Sequence, residues 1–225
     1  VGHVVQQLLE PWTNDSARAF QAAVANHPTP HHGNADLVEV AEHECLLFAD
    51  GLRYDLAEAL RDQLESLGCR VNLGHRWSAL PSVTATAKPA VTPVTNDIAG
   101  ATLPADFTPT IQTSNKPANA PNLRSAMKDV GYQVLDGGMG DWPESDTARG
   151  WAEEGKIDTR GHQLQSELPK TLADEVNRVA ERIVKLLDAG WTGVRVVTDH
   201  GWLYLPEGLP KIDLPKHLTE SKWAR

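Results

Sequence analysis

Three short stretches of the chain end on residues able to do chemistry. "CLLFAD" closes on Asp50, "VVTDHGW" carries Asp199 and His200 directly after a run of β-branched residues, and "DTRGH" sets Asp158 and His162 four residues apart around Gly161. Carboxylate oxygens and imidazole nitrogens are suitable ligands for zinc, and Asp also suits manganese or magnesium. Carboxylates brought face to face in a buried place repel unless a cation neutralises them. Two clusters of Asp with His therefore suggest two cations. A polar turn at each strand end is the competing reading, and each stretch taken singly is common in loops. A fourth stretch, "LPSVTATAKPAV", offers the hydroxyls of Ser82, Thr84 and Thr86 ahead of a helical pattern. A hydroxyl beside a metal ion loses its proton more easily and becomes a nucleophile toward phosphorus, and amides at the start of the following helix suit phosphate oxygens.

The elements that must position these residues read as an alternation of strands and helices. "CLLFAD" is a buried strand, and "LRYDLAEALRDQLESLG" follows as a helix with Leu52, Leu56, Leu60, Leu64 and Leu67 on one face and Gly68 as its stop. "GYQVLDGG" reads as a short strand with a glycine turn. "TLADEVNRVAERIVKLLDAG" reads as a long amphipathic helix with Val176, Val179, Ile183, Leu186 and Leu187 inward, and "GVRVVTDHG" as the strand after it. "CRVNLGHRWSAL" suggests a further strand, and "WAEEGKIDTRGHQLQSEL" a loop with one short strand. Residues 1 to 26 carry two helical patterns, the second capped from Asn14, Asp15 or Ser16. Residues 92 to 125, rich in Pro, Thr, Asn and Ala, have almost no periodicity and are expected to form a loop or lid insertion. Strand–helix alternation predicts an α/β fold with a mostly parallel sheet, in which ligands lie beyond the carboxyl ends of the strands. Asp50 and Asp199 fall at such ends.

The bulk composition sets limits. With 225 residues, 40% hydrophobic and 23% charged, the chain suits one α/β domain with a sizeable core. A net charge of -9 argues against a general nucleic-acid-binding surface. No apolar run approaches a membrane span, and nothing at the start reads as a signal peptide. The chain opens on Val1 rather than Met, as an excised piece would. Cys45 and Cys69 lack the spacing of a zinc or redox motif and are expected as buried free thiols in a reducing compartment, the cytoplasm.

"FADGLRYD", "LPSVTATAKPA", "DTRGH" and "VVTDHGWLYLPEGLPKIDLPKHLTESKW", taken together, resemble the PglZ domain of bacteriophage-exclusion (BREX) defence systems, a member of the alkaline phosphatase superfamily. The resemblance runs from about residue 45 onward. It implies a three-layer α/β/α sandwich, one domain over residues 1 to 225, and a metal-dependent phosphohydrolase using two divalent ions, zinc first and manganese next. By that pattern Asp50, Asp199 and His200 would bind one ion, and Asp158 and His162 the other. "PSVT" is similar to a phosphodiesterase stretch whose second hydroxyl is the nucleophile, which points to Thr84, bridging toward the first ion. The second ion ordinarily takes a further downstream His. His217 is the one offered here, unless that ligand lies beyond Arg225. Arg53 and Lys88 are the candidate phosphate-binding cations. The implied substrate is a phosphate ester, leaning toward a diester, and the implied partners are other proteins of a phage-defence complex. Two other readings stand beside this one: a catalytically silent interaction module that holds metal or nucleotide within such a complex, and a phosphomutase of the same superfamily.

Overall fold

A computed structural model of the chain describes residues 2–26, 38–76, 78–79, 82–100, 108–138 and 140–204. Its centre is a four-stranded sheet in the order β5-β6-β1-β7, formed by β1 (Glu44–Ala49), β5 (Tyr132–Val134), β6 (Arg149–Glu154) and β7 (Gly193–Val197). All three pairings are parallel. The chain is thus an α/β protein, as expected from the alternation of strands and helices.

β1 shows why the sheet lies where it does. Its run of five buried residues, Cys45 to Ala49, has no polar side, which suits a strand covered on both faces. Alternate side chains enter two separate apolar clusters. Cys45, Leu47 and Ala49 meet α2 (Tyr54–Ser66) through Leu56, Leu60 and Leu64, and α6 (Leu172–Asp188) through Val176, Val179, Ile183 and Leu186. Leu46 and Phe48 face the other way, toward Trp151 of β6 and Leu123 and Met127 of α4 (Ala120–Asp129). Leu67, expected on the inward face of α2, is exposed because the helix ends at Ser66 and the chain turns away at Gly68, whose φ is +86°. Cys45 is fully buried, and burial pushes its thiol up to about 12; Cys69 is half-buried.

Four expectations need correcting. Residues 1 to 26 contain one continuous helix, α1 (Gly2–Asn26), with Pro11 inside it, rather than two. The strand suggested within residues 69 to 80 is not formed by the described residues there. The stretch "WAEEGKIDTRGHQLQSEL", read as a loop with one short strand, supplies that strand as β6, beside the central strand, but continues as α5 (Ile157–Leu164) rather than as loop. Finally, much of 92 to 125 has regular structure: β2 (Ile98–Ala99), β3 (Thr110–Ile111) and β4 (Lys116–Pro117) form a small antiparallel sheet, and α4 begins at Ala120. Ile111, Ala118 and Leu123 are buried from this stretch, so it forms part of the second face of the core.

Candidate metal centre

The site is built on the carboxyl ends of three neighbouring strands. β6, β1 and β7 lie side by side with their ends level: Ala49 pairs with Glu154, and Phe48 with Val197. The residues that follow each strand therefore emerge at one edge. Asp50 follows β1, Asp199 and His200 follow β7, and Asp158 sits in the first turn of α5, three residues after Gly155 ends the run from β6. Asp50, Asp158 and His200 each present a ligand atom such that all three lie within 4.8 Å of one another. Asp199 is not part of that group but lies beside it: its Oδ2 is 3.6 Å from His200 Nε2, and Asp50 Oδ1 is 3.7 Å from the same nitrogen.

Local geometry holds these groups in place. Asp199 is buried, and its Oδ1 accepts from its neighbour's backbone, His200 N–H at 3.0 Å, and from Gly51 N–H at 3.4 Å. Ser78 Oγ donates to the Asp199 carbonyl at 2.6 Å, and Leu52 N–H donates to Thr198 Oγ1 at 3.1 Å, tying the β1 and β7 turns together. Gly51 has a φ of +69°, and a Cβ built there would lie 3.2 Å from Asp158 Cβ and 3.3 Å from Asp158 N. Glycine at this position thus serves both the left-handed turn and the close approach of α5.

The ring of His200 has a readable tautomer. Nδ1 lies 3.1 Å from the Gly201 carbonyl oxygen, which can only accept, so Nδ1 carries a proton, and in the neutral form of the ring Nε2 would keep a lone pair. That nitrogen faces Asp50, Asp199 and the hydroxyl of Thr84, whose Oγ1 is hydrogen-bonded to it at 3.0 Å. A hydrolytic triad would set the hydroxyl on one ring nitrogen and the carboxylate on the other. Here hydroxyl and carboxylates converge on a single nitrogen, the arrangement of ligands around a shared point.

The electrostatics favour a positive charge at that point. Burial first, then Asp199 and Asp158, push the Asp50 carboxyl up to about 6, against the weaker lowering effects of His200 and Lys88. Among the described residues neither Asp50 Oδ1 nor Asp199 Oδ2, both buried, has a hydrogen-bond donor. Two orphaned carboxylate oxygens and an imidazole lone pair, all within ligand reach, fit a divalent cation.

The remaining candidates divide. Thr84 opens α3 (Thr84–Ala90) and meets His200, whereas Ser82 is exposed and Thr86 Oγ1 donates back to Val83 O at 3.1 Å. Asp158 is placed with Asp50 and His200 rather than apart from them. His162 has its Nε2 3.4 Å from Asp158 Oδ2, but its side chain is 80% exposed, one turn away from the convergence point. His217 lies outside the described residues. Lys88 is one turn after Thr84, with Nζ 2.7 Å from Glu153 Oε2 and over the Phe48 ring. Arg53 is held by two hydrogen bonds of 2.6 Å to Asp55 and stacks on Trp202, 4.1 Å from the ring centre. Gly51, Glu153 and Glu175 emerge only from the fold. Of these, Gly51 had a signal, a glycine directly after a strand-ending Asp, and Glu175 had one in its position on the apolar stripe of α6.

Compared with known protein families, curated proteins and solved structures, the chain matches none.

Proposed function

We propose that the chain is a metal-dependent phosphoric ester hydrolase with Thr84 as its nucleophile. The observation that carries this reading is the convergence of Thr84 Oγ1, Asp50 Oδ1 and Asp199 Oδ2 on His200 Nε2, at 3.0, 3.7 and 3.6 Å. Asp50, Asp199 and His200 would hold one cation, with Asp158 near enough to share it. Asp158 with His162 would begin a second site, with His217, outside the described residues, as its further histidine candidate. A bound divalent ion supplies charge to stabilise developing negative charge and to ease loss of a hydroxyl proton.

The chain's own residues do the rest. Thr84 Oγ1 attacks phosphorus, forming an O–P bond while the bond to the leaving oxygen breaks with its electron pair; the hydroxyl proton goes to solvent and the leaving oxygen takes one up. Water then cleaves the phosphothreonine, restoring the hydroxyl and releasing the phosphate product. Thr84 opens a helix anchored by the Lys88–Glu153 pair, so its oxygen is presented in a fixed direction.

The finer fold we propose is the three-layer, alkaline phosphatase-like arrangement, supported by a parallel sheet with apolar clusters on both faces and ligands at the strand ends. The proposed setting is a cytoplasmic phage-defence complex. Among the described residues no helix is long and apolar enough to cross a membrane. A second reading, an interaction module within that complex, draws on α1, where Leu8, Trp12 and Phe20 are 72%, 65% and 60% exposed.

The experiment is a steady-state assay on an aryl phosphodiester and an aryl phosphomonoester with zinc or manganese, comparing wild type with Thr84→Ala. The expected result is a loss of about 1,000-fold or more in kcat for Thr84→Ala with manganese affinity retained. Equal turnover in both proteins would remove Thr84 as nucleophile. No turnover by wild type on either ester class, with manganese bound, would favour the interaction module.

A further inference from the structure

α6 carries a carboxylate where its sequence pattern calls for an apolar side chain. Glu175 is fully buried among residues of the first apolar face, one position before Val176 and four before Val179. Its two oxygens are engaged on both sides of Asp158. Oε2 accepts from the backbone N–H of Lys156 at 3.0 Å, and Oε1 lies 2.9 Å from Arg160 Nη1. Arg178, one turn along α6, adds a longer contact, with Nε 3.7 Å from Oε1.

Lys156 immediately precedes α5 and Arg160 lies one turn into it, joined by the Arg160 N–H to Lys156 carbonyl hydrogen bond of 2.7 Å. Asp158 is between them. The Glu175 carboxylate therefore holds the first turn of α5 by one hydrogen bond at Lys156 and by an ion pair with Arg160, in which Oε1 accepts no hydrogen bond among the described residues. Its negative charge favours the N-terminal end of that helix. On the opposite side Asp158 is pressed against Gly51, whose lack of a side chain lets the two backbones meet. With the turn held from α6 and against Gly51, the Asp158 carboxylate presents an oxygen to Asp50 and His200.

We infer that Glu175 is a positioning residue for the metal centre: clamping Lys156 and Arg160, it aims Asp158 at the point shared by Asp50 and His200. This rests on the proposed reading of Asp158 as a cation ligand. It gives the buried charge a role that core packing does not require, since an apolar residue of similar volume would fill the space without the cost of desolvation. Groups that orient a ligand from outside the coordination shell commonly change metal affinity by 10- to 100-fold when replaced.

The test is manganese titration of the full chain by calorimetry, with no substrate, for wild type, Asp158→Asn, Glu175→Gln, Arg160→Gln and Arg160→Lys. Melting temperature with chelator present is recorded for each. The expected result is a loss of about 10-fold or more in affinity for Glu175→Gln and Arg160→Gln, with recovery in Arg160→Lys, which keeps a charge opposite Glu175. Lowered melting temperature with wild-type affinity would show that Glu175 serves folding alone and would overturn the inference. If Glu175→Gln does not unfold cooperatively, the Arg160 pair decides by the same criterion. Wild-type affinity in Asp158→Asn would instead remove Asp158 as a ligand and the inference with it, whereas a weakened Asp158→Asn beside unchanged Glu175→Gln and Arg160→Gln removes the inference alone.

Discussion

Replacing Asp50 by Asn should stabilise the metal-free protein and abolish its response to cations. The Asp50 carboxyl is pushed up by burial, then by Asp199 and Asp158, from 3.8 to about 6. A folded-state value above the unfolded one means that the native protein holds its proton longer. The associated stability is present below pH ~3.8 and is lost as pH rises through about 6. A difference of about 2 units corresponds to about 3 kcal/mol at neutral pH. Asn has nearly the same shape, carries no charge, and sacrifices no hydrogen bond at Oδ1, which has no donor. Asp50→Asn should therefore gain about 2–3 kcal/mol over wild type at pH 7.5 with chelator, or about 5–10 °C in melting temperature for a domain of this size. The gain should vanish near pH 4, where both are uncharged. Manganese at about 100 times its Kd should stabilise wild type by about 2.7 kcal/mol and leave Asp50→Asn unmoved. Urea denaturation at the two pH values, with chelator or with manganese, measures all of these. The reasoning is refuted if Asp50→Asn is no more stable than wild type at pH 7.5, or if manganese stabilises both equally.

Gly51→Ala would place a side chain on a residue with φ +69° and against Asp158 Cβ at 3.2 Å. A loss of roughly 1–3 kcal/mol in urea denaturation is expected, together with weaker manganese binding by calorimetry, because α5 must move away. Glu153 should control acid stability. Burial raises its carboxyl, but hydrogen bonds from Arg124 and Lys88 outweigh that and bring it to about 2, from 4.5. A depressed acid contributes stability above pH ~4.5 that is lost as pH falls toward 2, at most about 3 kcal/mol here, so Glu153→Gln should be less stable at pH 7 and show a flatter acid limb in pH-dependent melting.

How much of this was legible follows from where polar residues fall. β1, α2, α6 and β7 have unbroken apolar runs or stripes, and each was readable from its period. β6 was legible only as a short strand within a loop, because "RGWAEE" buries only a glycine, a tryptophan and an alanine, and its last two residues are acids that look like loop. Gly150 is required there: a Cβ would lie 2.9 Å from both Cys45 Sγ and the Trp191 ring. A strand that must pack this closely against its neighbours has little room to advertise itself by large apolar side chains. The small sheet from 98 to 117 was hidden for another reason, since strands of two residues carry no alternation. Asp50, Thr84, Asp158, Asp199 and His200 were visible as types at strand or helix ends. Glu175 had a signal in its place on the apolar stripe of α6, but its charge, which on a helix ordinarily means solvent, masked it.

The order of strands explains why the site is anionic before any cation is considered. β6, β1 and β7 are adjacent and parallel, so the segments leaving them share one edge although Asp50 and Asp199 are separated by most of the chain. Parallel pairing collects whatever residue types stand just after the strands, and here three of them are Asp. Two have a buried oxygen with no donor. A sheet edge meant only to be closed off would satisfy those oxygens with backbone amides, as Asp199 Oδ1 is satisfied by Gly51 and His200. The partner oxygen is instead left 3.6 Å from His200 Nε2, the same nitrogen that Thr84 Oγ1 meets. Repulsion among these carboxylates is a standing cost to the fold, which protonation of Asp50 relieves at low pH and which a divalent ion, on the proposed reading, would turn into binding energy beside the Thr84 hydroxyl.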